Sequence, residues 1–522
     1  MLGIKIPTQL TFADVLGWRE RIPEGSFAFK LNEWASENIK DENFASFYAK
    51  IGRPSVPPSI IVRALIYQVH CGLSDRQIEE QSIFNDLAKY ALGVARDYKG
   101  LDAVTLCRNR QRLGSEAAKL LAAIINDAVQ QGFIDEKDAT IVDSYLTYGA
   151  AATQDTYTLI RRAILKNIVV MGFAGYQEQL KGLKRDDYEL KGKPQINWED
   201  KAEKKQLLSD LIADARHIIQ VVDSLESISD EMSEAVDLLK KILDQDIDDD
   251  DNIKQGVAPD RVISVTDPQM RHGRKTTANK FDGYKTHIAT TGEDGSFVVG
   301  VKVTPANVPD GDVLIDLVEA CKDNNIDVTR VMGDSAYGSG DLRAKMKEQD
   351  IELVAKVPPA SGKKGCFSKN EFEIDTEKMT CRCPAGLVTT KTYLAKDAQG
   401  REIPRFVFFK EDCASCPMRE QCISGKAQNR TVTLNYHEDL LQEARQEQQT
   451  PAFKEEYRQR SHVERTISHN TRHGGRQGRY FGIEKNELQQ ILVSIGTNIV
   501  AFFRYAKQKN YMLEPGEQCV QG

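Results

Sequence analysis

Glu464 is the lone acid in a basic run, YRQRSHVERTISHNTRHGGRQGRYFG (457–482), beside Arg458, Arg460, Arg465, Arg472, Arg476 and Arg479. Tyr457, Arg460, Glu464 and Ile467 recur at helical spacing on one face. A carboxylate in that company suits a hard cation set against a phosphodiester. The acid ligates the ion, and guanidinium forks grip phosphate oxygens in pairs. Two more acids share the logic: Asp143 follows the apolar, β-branched run 139–142, and Asp334 follows VTRVM. Both runs read as buried strands. Carboxylates meeting at one cleft repel unless cations lie between them. Two Mg2+ (or Mn2+) ions held there activate an attacking oxygen on one side and stabilise the leaving oxygen on the other. Asp143, Asp334 and Glu464 are the expected catalytic and Mg2+-ligating residues. The plainer reading is a turn aspartate at each strand end and a solvated basic helix with an ordinary ion pair.

A second constellation is made of sulfur. Of ten cysteines, Cys366, Cys381, Cys383, Cys413, Cys416 and Cys422 fall in one short region, which in a reducing compartment favours metal over disulfides. A CxxC pair with partners about 30 residues earlier makes a tetrahedral Zn2+ site. Cys383, Cys413, Cys416 and Cys422 are the expected structural zinc ligands, with Cys381 the substitute for Cys383; reduced free thiols are the alternative. Cys71, Cys107 and Cys321 sit in apolar or helical contexts that suit buried thiols, and Cys519 stands apart. His462, His469 and His473 flank Glu464 without the HExxH spacing of a zinc hydrolase, so phosphate contact or a surface position is expected of them.

The elements that must position these groups can be read in order. GRPSVPP separates FAFKLNEWASENI from IIVRALIYQVHCG, both helical in apolar spacing. Gly72 ends the second of these, and Ser74 with Gln77 forms a capping box that opens a helix running on to ALG. Helix, short turn and capped helix is the helix-turn-helix pattern of DNA-binding proteins, and also of plain bundles. Arg76, and Arg108 in TLCRNRQRL, add positive charge there. Residues 175–245 read as a charged helical hairpin or arm, followed by an acidic loop, DQDIDDDD. RVISVTD, GYKTHIATT, GSFVVGVKVTPAN, VTRVM and IELVAKVP read as strands of an α/β layer, and 360–435 as a β-leaning, Cys-rich insertion.

At 522 residues the chain is long enough for three or more domains. Hydrophobic content of 40% and charged content of 28% indicate a soluble globular protein. No apolar run approaches a bilayer span, and the first residues lack the pattern of a secretory leader, so a cytoplasmic setting is expected. The net charge of −7 hides segregation: acid gathers at 223–251, base near the C-terminus. Local charge governs phosphate binding.

In order, IVDSYLTY, VTDPQMRHGRK, FDGYKTHIA, TPANVPDGD, VMGDSAYGS and YRQRSHVERTISH resemble the motifs of DDE transposases of bacterial insertion sequences. The likeness is to the insertion-sequence-four-like superfamily, most closely its insertion-sequence eleven-eighty-two group, over about residues 40–505. It implies an α/β fold with an RNase H-like catalytic core (117–172 and 256–358) and an all-helical N-terminal DNA-binding domain (1–116). A helical acidic insertion (173–255), a zinc-ribbon-like Cys-rich insertion (359–436) and C-terminal core helices carrying the glutamate (437–522) complete it. The implied reaction is Mg2+-dependent cut-and-paste cleavage and strand transfer at terminal inverted repeats.

The family's two aspartates fall on Asp143 and Asp334, and its glutamate on Glu464. Its tyrosine–arginine–glutamate signature matches Tyr457, Arg460 and Glu464, whereas its last basic position is Thr471, with Arg472 adjacent. The expected DNA contacts are Tyr457, Arg460, Arg465, Arg472, Arg476, Arg479, Arg76 and Arg108. Some relatives stack a flipped base on a tryptophan between the second aspartate and the glutamate. Here Trp18, Trp34 and Trp198 all lie elsewhere, leaving Tyr393, Phe406, Phe408 or Phe409 for that role. The expected partners are double-stranded DNA (element ends and target) and a second copy in a synaptic homodimer, in a bacterial, nucleoid-associated location. A silent, transposase-derived DNA-binding protein and a metal-dependent nuclease are the alternatives.

Overall fold

A computed structural model describes residues 1–5, 17–135, 138–275, 279–358 and 365–509; Cys519 lies outside them. The first helices are α1 (Phe27–Asn38), α2 (Pro58–His70), α3 (Asp75–Phe84), α4 (Asp86–Leu92) and α5 (Ala103–Gln130). Helix α2 starts on Pro58, whose missing N–H costs nothing at a helix N-terminus, and is buried from Pro58 to Val69. The turn before α3 forms as its sequence predicts: Gln77 N donates to Ser74 Oγ at 3.2 Å, and Ser74 N to Gln77 Oε1 at 2.8 Å. The single helix expected from Ser74 to Gly93 is broken at Asn85. Its extended backbone ends α3, and its side chain accepts from Leu87 N and Ala88 N to start α4, a competition with the helix that asparagine often wins.

Helix α5 runs straight through the domain boundary expected at 116. One hydrophobic core extends from Ala28 through Ile124, Val142, Ile288 and Val331 to Ile495 and Ala506. The N-terminal helices and the sheet are thus built on shared apolar contacts. Arg110, nearly buried, pairs with Asp75 at 2.5 Å, donates to Gln68 and lies 4.9 Å over the Tyr480 ring. Asp75→Ala strands a buried guanidinium, so we expect a loss of about 1–3 kcal/mol of stability, measurable by urea unfolding.

Strands β1 (Thr140–Tyr148), β2 (Arg271–Arg274), β3 (Lys280–Thr291), β4 (Phe297–Pro305), β5 (Arg330–Met332) and β6 (Glu352–Val354) form one sheet. Its order is β2-β3-β1-β5-β6, with β4 also on β3. The pairs β1–β3, β2–β3 and β3–β4 are antiparallel; β1–β5 and β5–β6 are parallel. The parallel part requires crossovers, supplied by α9 (Leu314–Asp323) between β4 and β5 and α10 (Gly340–Glu348) between β5 and β6. RVISVTD does not join the sheet. Val262 N bonds Gln245 Oε1, Val265 N bonds Gln154 Oε1, and Gln154 N takes the Ile263 carbonyl. These partners replace a ladder.

Between β1 and β2, α6 (Thr156–Phe173), α7 (Lys201–Asp223) and α8 (Asp230–Asp246) bury their own core, including Leu159, Ile164, Leu211, Ile218 and Leu239. Helix α6, placed with the sheet from sequence, packs in this lobe. The acidic run beyond α8 is a solvent-exposed turn. The Cys-rich insertion holds β7 (Glu373–Asp375), β8 (Thr380–Arg382), β9 (Val388–Thr389), β10 (Thr392–Lys396), β11 (Glu402–Val407) and β12 (Thr431–Thr433) in two three-stranded sheets. Two short helices, α11 (Lys410–Ala414) and α12 (Arg419–Cys422), lie between β11 and β12. The chain then forms α13 (Glu438–Glu447), α14 (Pro451–Tyr457), α15 (His462–Asn470) and α16 (Ile483–Gln508).

Candidate active site

Strand β1 continues well past Val142, so Asp143 stands inside it and not at its end, opposite Ile288 of β3. On the other side, Thr140 and Ile141 pair with Val331 and Met332 of β5. Continuing that register sets Asp143 level with Asp334. Asp334 caps the short 3-10 helix Ser335–Tyr337, accepting from Ala336 N at 2.7 Å.

The third acid arrives on α15. Its Val463 is buried, and Thr466 Oγ1 donates to the Gly295 carbonyl at 2.8 Å, docking the helix on the turn between β3 and β4. The expected continuous helix from Tyr457 is interrupted by a 3-10 turn, Arg458–Ser461. The Arg460–Glu464 spacing still works: Arg460 Nη2 lies 3.2 Å from Glu464 Oε1, while its Nη1 lies 3.5 Å from Asp143 Oδ2. One guanidinium therefore ties the first acid to the last. Glu464 itself is open, its side chain 61% exposed. Tyr457 stacks on Phe453 and lies under Lys356 Nζ; burial raises its pKa, and Arg460, Asp334 and Asp143 all act on it. Tyr457, Arg460, Glu464, Asp143 and Asp334 thus form one neighbourhood.

Burial pushes the Asp143 carboxyl up to about 6. The Ser144 N–H and Arg460 oppose this; the charges of Asp334 and Asp310 add to it. An acid with a raised folded-state pKa costs stability once it ionises. That cost is absent below the ordinary value near 3.8 and complete above about 6. Asp143→Asn is expected to stabilise the metal-free protein by about 3 kcal/mol at pH 8 and to have little effect near pH 4, as read by urea unfolding at the two pH values. Among the described residues, no three His, Cys, Asp or Glu side chains stand close enough to hold a metal ion without adjustment. The donor set nonetheless suits Mg2+: hard oxygens only, with ionisation of Asp143 hindered by another carboxylate, a hindrance a cation relieves.

The arginines divide into two groups. Arg465, Arg472 and Arg476 are exposed on α15 and the segment after it, as are Arg76 on α3 and Arg108 on α5. Arg479 is half-buried and donates to the Leu73 carbonyl in the turn between α2 and α3. Arg110, like Arg479, serves packing. The segment after α15 is zipped to the end of β1: Tyr148 N bonds the Arg476 carbonyl at 2.9 Å, and Gly478 N the Tyr148 carbonyl at 2.7 Å. Fully buried Gln489 and Gln490 of α16 hold the Gly474, Gly475 and Gln477 carbonyls. This scaffold presents Arg472 and Arg476 outward.

The histidines depart from expectation. His473 stacks on His70 at 4.0 Å, His70 on Phe27 at 3.5 Å, and His469 lies 4.4 Å from His473. Burial lowers His70 to about 2 and His469 to about 4, so both are neutral packing groups and not phosphate ligands. His462 is half-buried against Gly295.

In the insertion, Cys383, Cys413, Cys416 and Cys422 line one cavity of about 20 Å3, together with Phe408, Arg419 and Arg430. That is room for about one water-sized sphere. Burial raises the Cys422 thiol, with Cys413, Cys383 and Cys416 adding to it and Arg430 opposing. Cys381 points instead into the core with Phe406 and Phe408, and burial pushes its thiol up to about 12. Phe406 and Phe408 are buried, whereas Tyr393 and Phe409 are exposed, their rings 5.6 and 5.1 Å from Lys391 Nζ. Cys321 is buried as expected; Cys71 and Cys107 are exposed.

Sequence reasoning assigned no role to Lys285, His287, Asp310 or Tyr337, although all lie in the motifs FDGYKTHIA, TPANVPDGD and VMGDSAYGS. Lys285 Nζ donates to Asp310 Oδ1 at 2.9 Å, beside the acids. No described helix is long and apolar enough to cross a membrane.

Comparison with protein families finds two matches. Residues 17–112 match the family described as Transposase domain (DUF772), and residues 382–503 match Transposase DDE domain. The second span contains Glu464 and all four cavity-lining cysteines, and lies beyond Asp143 and Asp334. No curated protein and no solved structure matches the chain.

Proposed function

Because this chain belongs to the DDE transposases of insertion sequences, we propose that it cleaves DNA at the terminal inverted repeats of its own element and joins the freed ends to target DNA. The observation that carries this reading is the Arg460 bridge between Asp143 and Glu464, with Asp334 just past the end of the neighbouring strand, β5. The antiparallel β4-β3-β1 unit continued by parallel β5 and β6 supports an RNase H-like core.

Asp143, Asp334 and Glu464 would hold Mg2+ or Mn2+, which when bound supplies activation of the attacking oxygen and charge relief at the leaving one. Arg460 holds the acids together before the ion and DNA arrive, then offers its fork to phosphate. Exposed Arg465, Arg472 and Arg476 carry the backbone near the cut. Arg76 and Arg108 carry it farther along, on the N-terminal helices. A structural zinc in the insertion is part of this reading, on the CxxC spacing of the four thiols that line one cavity, and it requires them to draw in around the ion. Exposed Tyr393 and Phe409, both near Lys391 Nζ, support base stacking beside the cleaved strand. Pairing of two ends favours a homodimer, for which the exposed Val169 and Phe173 of the helical lobe offer apolar surface.

Excision from a plasmid carrying the element's ends, with Mg2+ present, tests this reading. End cleavage followed by joining to a second DNA is expected. Cleavage without joining identifies a nuclease; binding without cleavage identifies a silent DNA-binding protein.

A further inference from the structure

The turn Asp310–Val313 lies directly against the turn that carries Asp334. A Cβ on Gly311 would stand 2.8 Å from the Ala336 carbonyl, so the two turns touch backbone to backbone. Asp310 is fixed there from β3. Lys285 Nζ donates to its Oδ1 at 2.9 Å and to the Val308 carbonyl at 2.8 Å. His287, fully buried, bonds Thr304 Oγ1 through Nε2 at 2.9 Å and holds Nδ1 3.9 Å from Asp310 Oδ1, with no hydrogen-bond partner for that nitrogen. Two side chains from the sheet floor thus converge on one carboxylate.

A second observation points the same way. The Tyr337 hydroxyl is buried, with its residue only 1% exposed, and has no hydrogen-bond partner. The charges acting on it are those of Asp310, Asp143 and Asp334. A buried hydroxyl without a partner costs free energy, and an orphan donor amid three carboxylates marks a place where something polar belongs. Asp310 is reachable: its side chain is 21% exposed, and it opens on a cavity of about 600 Å3 shared with Asp312, Ser339, Asp341 and Lys345.

We propose that Asp310, held by Lys285, is a positioning residue of the acidic site, accepting a hydrogen bond from the water shell of a divalent cation bound at Asp143 and Asp334. Mg2+ and Mn2+ keep several waters when few carboxylates bind them, and those waters need acceptors. Asp310 supplies one, and Lys285 keeps it from swinging into the cavity. The inference rests on the reading of Asp143 and Asp334 as metal ligands.

The test is Mn2+ titration of the full-length, metal-free protein, with free Mn2+ followed by its paramagnetic resonance signal and thermal unfolding measured in parallel. Asp310→Asn is expected to raise the Mn2+ Kd about 10- to 100-fold, as loss of an outer-shell partner does, without lowering the melting temperature of the metal-free protein. Lys285→Met is expected to weaken binding in the same direction by less, which keeps the test available should Asp310→Asn misfold. Asp312→Asn, on the same turn but exposed, is expected to leave the Kd unchanged. An unchanged Kd for Asp310→Asn alongside lost binding in Asp143→Asn and Asp334→Asn overturns the role of Asp310 and leaves the acid site standing. If Asp143→Asn and Asp334→Asn also bind as the wild type does, the metal reading itself falls, and this inference with it.

Discussion

Glu464→Gln is expected to lower DNA end cleavage by about 10^3-fold while end binding stays within about twofold of wild type. Glutamine keeps the size of the side chain and can still accept from Arg460, which lies 3.2 Å from the glutamate. What it removes is a negative charge on an open side chain, at the one acid brought to the sheet by a helix. Asp334→Asn should behave alike, because Asp334 stands just past β5, and asparagine can still cap the 3-10 helix there. Time courses of nicked and linear plasmid, with a parallel gel-shift of the ends, measure both quantities. Cleavage by Glu464→Gln at near wild-type rate would remove Glu464 from the site. Equal loss of binding would make it a structural residue of α15.

The second large effect concerns the insertion. Its core is small: Phe372, Phe406, Phe408, Val432 and Leu434 with Cys381 and Cys413. A core of that size buries little apolar surface, so a metal bound there would add much of the insertion's stability. With zinc on Cys383, Cys413, Cys416 and Cys422, that contribution is on the order of 10 kcal/mol. A strong chelator, or Cys413→Ser with Cys416→Ser, is then expected to open residues 365–434 to protease while the remaining chain keeps its helices. One zinc per chain by elemental analysis is the companion result. Purified protein without zinc and with a protease-resistant insertion would show that the thiols pack without metal.

Much of the site was legible because its signals are local. The capping box at Ser74 and the Arg460–Glu464 spacing depend on residues three or four apart, where one helical turn dictates the geometry. Asp143 and Asp334 were found through apolar runs, although the run before Asp143 understated the strand, since polar residues follow on its half-buried face. What escaped was non-local. Arg110 and Arg479 look like phosphate ligands in sequence; only the fold shows that Asp75, Tyr480 and the Leu73 carbonyl occupy them. His70 is some 400 residues from His473, and no periodicity announces a ring stack. Asp310 was visible as a letter in a motif but acquires meaning only beside Lys285, His287 and Tyr337. The break at Asn85 was the local signal misjudged, a cap residue set inside an apparently continuous helix.

The stitching of the segment after α15 to the turn between α2 and α3 has a consequence for synthesis. His473 bonds the His70 carbonyl and Arg479 that of Leu73, contacts separated by 403 and 406 residues, and α2 is covered in part by α16. A ribosome releases the N-terminal helices long before the residues that cover them exist. Domains that fold as they emerge do so only when their contacts are local. Here the N-terminal helices pack on one another but also on α16, so a chain made only as far as α14 lacks both of these stitches and Glu464.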